Sequence, residues 1–398
     1  MGTVDEHRPD APAGDAQSSS ERTTTPVHDD RRLPALTGLR FFAAMTVLIS
    51  HFDHRGVVAV PEFFVSFVDG GRTAVALFFV LSGFILAYNY SELSGGAERR
   101  TFYVNRIARI YPVVLLSLVL GAIGVAYVLL NDDRERLLDW YALKDASPAA
   151  LVASFVSQLT VTTGWFPTAR INQPWNSPAW SIACEMFFYL LFPVMIGYLR
   201  RLRAKGLSIV VSVTFALQLL FVVAVRFVAP EGQRGFLVSQ FPVTHLFDFL
   251  IGVVAALVFL RGGREWLMRG RRRAFSLAVS LIAIVTLSLS VPLRPAYLLL
   301  TPFFAILVVV LAVPPKNGRS WLAAGWLLLL GEASFSLYLI HVPLMNLMSL
   351  APVPVWFGWA WVVFTIGASI LVFAFFETPA RRYTKRVLTR ASSSPQRA

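Results

Sequence analysis

The chain holds 398 residues, 56% of them apolar or aromatic and only 15% charged, with a mean hydropathy of +0.61. Soluble domains carry about a quarter charged residues, so this sequence cannot cover a water-facing surface all round and reads as a membrane protein. The 36 Lys and Arg against 23 Asp and Glu fall mostly on one membrane face, which is a topology signal and calls for no nucleic-acid partner.

Residues 1–32 are rich in Asp, Arg, Ser, Thr and Pro and nearly free of large apolar side chains, which predicts a disordered polar tail. No apolar run opens the chain as a cleavable signal would, so the first span is expected to serve as the insertion signal. Apolar spans follow near 34–52, 73–91, 107–130, 179–199, 207–229, 236–260, 274–292, 296–314, 331–350 and 356–376. A further stretch near 148–166 carries Ser154, Ser157, Gln158, Thr160, Thr162 and Thr163, too many polar groups for a lipid-facing span. Ten spans with both termini cytoplasmic put 23 Lys and Arg on inner segments and eight on outer ones. An eleventh would move the six arginines of 261–273 outside, so ten is the expected number. The predicted fold is therefore an all-α polytopic membrane helix bundle. It has a long outer loop at 131–178, where Trp165, Phe166 and the PWNSPAW string suit a flap lying at the membrane interface, and a polar tail at 384–398.

Ionisable residues inside spans are costly and mark pathways or sites. In the first span Arg40 and His51 stand eleven residues apart, close to three full helical turns, so they share one face about 16 Å apart along the axis. At the inner end of the third span, Arg106 and Arg109 share a face and offer two guanidinium forks suited to phosphate, although interfacial arginines also serve as plain anchors. Glu185 enters the fourth span about two turns deep, just beyond Trp180, and needs a partner from another helix. His51 is the expected one, with the carboxylate fixing its tautomer, and a nearby hydroxyl is the alternative. Ser82 and Gly83 in the second span would admit either a neighbouring backbone or an extended ligand. His341 lies near the middle of the ninth span with Tyr338 one turn before it, as readily a core pair as a site pair. The sequence carries no CxxC pair, Gly-rich phosphate loop or GxSxG elbow, and no metal is expected.

Six strings in one order, LTGLRFFAAMTVLISHF, FFVLSGFIL, RIARIYP, NSPAWSIACEMFFYLLFP, ASFSLYLIHVPL and FETPARR, resemble the acyltransferase 3 family of integral membrane acyltransferases. The resemblance runs from about residue 33 to 383, the expected membrane domain. It implies a multi-pass protein of a bacterial-type inner membrane that moves an acyl group from acyl-CoA, acetyl-CoA or another short-chain thioester, to a hydroxyl of a carbohydrate or macrolide-type natural product. On this resemblance His51 is the catalytic histidine, with Arg40 its partner and Glu185 near the reacting centre. Arg106 and Arg109 contact the donor phosphates, and Ser82, Gly83 and Phe84 border the acyl path. His341, Tyr338 and Trp180 are possible additions to the site. Whether the imidazole acts as general base or as nucleophile stays open. A transporter or anion-handling channel that uses the same midplane His, Arg and Glu is the competing expectation.

Overall fold

The computed structural model describes Gly2 and residues 33–61, 71–93, 95–143, 147–290, 293–315, 320–351 and 354–390. The predicted tail at 1–32, Gly2 aside, and the last eight residues lie outside them. The first helices are α1 (Pro34–His54), α2 (Gly71–Tyr90) and α3 (Gly96–Leu130), followed by the short α4 (Arg134–Tyr141) and α5 (Pro148–Leu159). The bundle continues with α6 (Trp180–Leu199), α7 (Ala204–Val228), α8 (Leu246–Val258), α9 (Arg272–Ser290) and α10 (Leu293–Ala312). It closes with α11 (Gly325–Met348), α12 (Gly358–Val372) and α13 (Thr378–Arg390), and no strand occurs among the described residues.

Nine helical segments of the described chain are long and apolar enough to cross a membrane. A tenth, α10, has 20 residues. Only its shorter apolar part, Leu298–Ala312, is counted apart from those nine. The stretch near 148–166 yields the 12-residue α5 and a short 3-10 turn at Thr163–Trp165, not a spanning helix. At two places a helix runs beyond its apolar span. Helix α3 begins at Gly96 rather than near 107, because the polar GAERRTFYVN segment extends it under a Gly95–Glu98 cap. The polar segment from 384 is helical as far as Arg390, where the described residues end, since a π-helical turn at Phe373–Glu377 carries α12 into α13.

The core is built where α2 crosses α8 and where α11 packs on α1 and α3. The α2–α8 crossing is tight because each helix presents a glycine to the other. A Cβ on Gly83 would meet the Phe249 carbonyl, and one on Gly252 the Val80 carbonyl.

The long 131–178 loop is a packed cap. Trp175, held in a left-handed backbone at φ 71°, lays its carbonyl against Gly121 of α3, where no side chain would fit. Its indole N–H donates to Ser154 Oγ at 2.9 Å. The Gln158 amide donates to the carbonyls of Pro174 and Asn176. Asn176 in turn donates 2.9 Å to the Leu339 carbonyl of α11. That carbonyl would ordinarily accept from the N–H four residues on, but residue 343 is proline and has none. The cap thus supplies the donor that the helix lacks, and Trp165 and Phe166 are exposed on it, at 38% and 39%.

Candidate active site

Helices α1, α2, α3, α6 and α11 enclose a narrow cavity of about 80 Å³. Arg40, Ser82, Arg106, Arg109, Glu185 and Tyr338 line it together, as do Tyr189, to which the sequence had assigned no role, and Ser181, one of the hydroxyls weighed for Glu185, which instead meets the Tyr338 hydroxyl at 2.7 Å. Arg40 and Arg109 reach it from different helices because each sits on the inward stripe of an otherwise apolar span. Arg106 is only 9% exposed. Its guanidinium lies over the rings of Tyr90, Phe102 and Tyr189 at 5.8, 5.9 and 5.6 Å, and its Nε has no hydrogen-bond acceptor among the described residues. A buried guanidinium held by ring faces is desolvated without being neutralised.

Glu185 does not pair with His51. Its Oε1 accepts from Ser82 Oγ at 3.1 Å and from the Tyr189 hydroxyl one turn along α6. The physical reason is depth: Glu185 lies at the level of the arginines, whereas His51 lies about 16 Å further along α1 than Arg40. A second carboxylate, Glu377, sits at the π-helical turn, 4% exposed, and accepts 2.6 Å from Ser336 Oγ. It acts electrostatically on Arg40, Arg109 and Arg381, and Arg381 in turn feels Arg106. Four guanidiniums therefore share a neighbourhood with two carboxylates, a formal surplus of positive charge at a half-enclosed site.

His51 stands beyond one wall of this cavity. Phe78 and Tyr338 both line the cavity and meet edge-on at 6.0 Å. Tyr338 lies 5.8 Å from the His341 ring, and His341 meets His51 edge-on at 5.0 Å. The hydrogen bonds fix both tautomers. His51 Nδ1–H donates to the Val47 carbonyl at 2.9 Å and His341 Nδ1–H to the Tyr338 carbonyl at 2.6 Å. A carbonyl can only accept, so in the neutral rings each Nδ1 carries the proton and each Nε2 the lone pair. His341 Nε2 faces His51 Nδ1 at 3.4 Å. His51 Nε2 is left with its lone pair, the form required of a base or nucleophile.

Three expected residues stand elsewhere. Gly83 belongs to the α2–α8 crossing, and Phe84 is fully buried beside it, against Tyr88 and Phe259. Neither lines the cavity; Gly83 must meet the α8 backbone, and both side-chain positions point away from Ser82's face. Trp180, 8% exposed, packs on the His245 ring at 5.5 Å. Tyr189 was recoverable from its i, i+4 spacing to Glu185, whereas Ser336 and Glu377 stand in two of the six strings, ASFSLYLIHVPL and FETPARR, and nothing in either string pairs them across 41 residues.

A family model described as an acyltransferase domain matches residues 33–377. The chain belongs to the acyltransferase 3 family. The protein is thus a multi-pass membrane acyltransferase. It is 29% identical over 326 residues to acyltransferase MdmB of Streptomyces mycarofaciens, which covers 78% of each chain. It is 22% identical over 380 residues to O-acetyltransferase OatA of Staphylococcus aureus, covering 89% of this acyltransferase but 58% of that protein. The putative peptidoglycan O-acetyltransferase YrhL of Bacillus subtilis is 26% identical over 346 residues, 80% of this chain and 49% of its own. No solved structure matches the acyltransferase.

Proposed function

We propose that the protein is an O-acyltransferase that moves an acyl group from acyl-CoA to a hydroxyl of a carbohydrate or macrolide-type natural product, with His51 at the reacting centre. The observation that carries this reading is one helix, α1, bearing an anion-seeking guanidinium at one level and, at another, an imidazole whose Nε2 has no hydrogen-bond partner among the described residues. The surplus of arginine charge, with Arg106 Nε unsatisfied, suits the phosphates of a CoA thioester. The extended arm of the donor would run from Arg40, Arg106 and Arg109 past Phe78 and Tyr338 toward His51. The cavity holds only a handful of waters at about 10–15 Å³ each, so these two rings must turn aside as the thioester enters. Glu185, held by Ser82 and Tyr189, would keep Arg40 oriented. The arginine-rich ends of the helices face the cytoplasm in this reading, where acyl-CoA is available.

His51 Nε2 then acts either as general base on the acceptor hydroxyl or as nucleophile on the thioester. The names of the relatives OatA and YrhL favour acetyl as the group moved and a glycan-type hydroxyl as one acceptor class.

The test uses the purified full chain in detergent with a panel of radiolabelled acyl-CoAs and hydroxylated acceptors, following free thiol and acylated product. Thiol release that disappears in His51→Ala, with folding retained, supports the reading. Label retained on His51 assigns the nucleophilic route. A folded protein that releases no thiol with any donor and acceptor, yet moves an anion across sealed vesicles, overturns the enzyme reading in favour of transport.

A further inference from the structure

Among the described residues, His341 is the side chain that brings a second ring nitrogen to His51. It is 1% exposed, its Nδ1–H is committed to the Tyr338 carbonyl at 2.6 Å, and its Nε2 lone pair is aimed at His51 Nδ1 from 3.4 Å. The His51 Nδ1–H is therefore shared between the Val47 carbonyl at 2.9 Å and a second imidazole. Among the described residues no carboxylate is hydrogen-bonded to His51, and the expected one, Glu185, is engaged with Ser82 and Tyr189. A neutral, fixed imidazole behind a catalytic imidazole does what the carboxylate does in a triad: it holds the tautomer and shares the positive charge that appears during transfer.

We infer that His341 is the positioning partner of His51, completing a histidine–histidine pair for acyl transfer. The inference rests on His51 being the reacting group. On the general-base route, His51 Nε2 takes the proton of the acceptor hydroxyl as its oxygen forms a bond to the thioester carbonyl carbon. The ring is then an imidazolium with hydrogens on both nitrogens, and His341 Nε2 accepts the Nδ1–H more strongly. As the carbon–sulfur bond breaks, the electron pair leaves on sulfur, and the Nε2 proton passes to the thiolate. The ester and free CoA thiol are the products, and both histidines return to their starting forms. His341 never touches substrate, so its removal should slow turnover without weakening donor binding.

Four side chains at position 341 test this. Gln can place a carbonyl oxygen near the site of Nε2, Asn is too short to reach it, and Phe keeps the ring volume without an acceptor. With saturating acyl-CoA, His341→Asn and His341→Phe should lower kcat about 10²-fold with the KM for acyl-CoA unchanged. His341→Gln should recover most of that loss. If Phe proves unstable in detergent, the Gln and Asn pair carries the test, since both are amides and differ only in reach. Equal kcat in His341→Gln and His341→Asn overturns the inference, as does wild-type kcat in either His341→Asn or His341→Phe. Failure of the underlying reading is distinguishable: there His51→Ala itself would retain thiol release, whereas failure of the His341 role leaves His51→Ala inactive and His341→Asn active.

Discussion

Gly83 and Gly252 each face the other's helix at its backbone: the place of a Cβ on one is taken by the Phe249 carbonyl, and on the other by the Val80 carbonyl. Within a bilayer, helix association relies on such close approach because burying apolar surface gains little against lipid. Gly252→Val should therefore destabilise the protein by about 1–3 kcal/mol through overpacking. A thermal unfolding scan in detergent checks this, and a melting temperature equal to wild type would show that the crossing is looser than the geometry requires.

The Asn176–Leu339 contact allows a cleaner test, because the reason for it is a single proline. Asn176→Ala should leave the Leu339 carbonyl unpaired at a cost of about 1–3 kcal/mol. Pro343→Ala restores an N–H four residues after Leu339. The double variant should then lose less than the two single losses added together, and strict additivity in the double-mutant cycle would count against the proposed exchange of donors.

Arg106 is held by three ring faces and has an unsatisfied Nε. Arg106→Lys keeps the charge but loses both the planar stacking and the fork. We expect the KM for acyl-CoA to rise about 10-fold or more with kcat changed far less, read from steady-state thiol release. An unchanged KM would remove Arg106 from donor binding.

Tyr189 separates the ring from the hydroxyl. Tyr189→Phe retains the ring beneath Arg106 while removing one of the two donors to Glu185. The loss of a hydrogen bond to a charged acceptor should cost about 1.5–3 kcal/mol of stability, with the donor KM within about threefold of wild type. A KM shift as large as that of Arg106→Lys would mean that Glu185, and not the ring, sets the position of Arg106.

The membrane spans were legible because a run of about 20 apolar residues has few alternatives to a spanning helix. Where polarity governs, the reading stopped short. The first turns of α3 and the end of α13 are helical but charged, so an apolar scan passes over them. In the site, Arg40, Arg106 and Arg109 announced themselves as charges at membrane depth and do converge on one cavity. The partner of His51 did not, because periodicity tells which face a residue occupies but not which helix lies opposite. Glu185 and His341 were both available on that evidence, and only the packing of α11 against α1 brings one of them to His51. Gly83 illustrates the same limit: a small residue admits either a ligand or a helix, and α8 occupies the space.

Because Arg40 and His51 ride on the same unbroken helix, their separation of about 16 Å cannot be adjusted by side-chain motion alone. In the proposed reaction α1 then works as a ruler, presenting the imidazole only to a carbonyl held one arm's length from the anion. A truncated thioester such as an acyl-N-acetylcysteamine can reach His51 but cannot be anchored while it does so. Its turnover should fall at saturation as well as at low concentration, the signature of binding energy from a remote group being used at the reacting carbon. A truncated donor matching acyl-CoA in kcat would show that the two ends of the helix act independently.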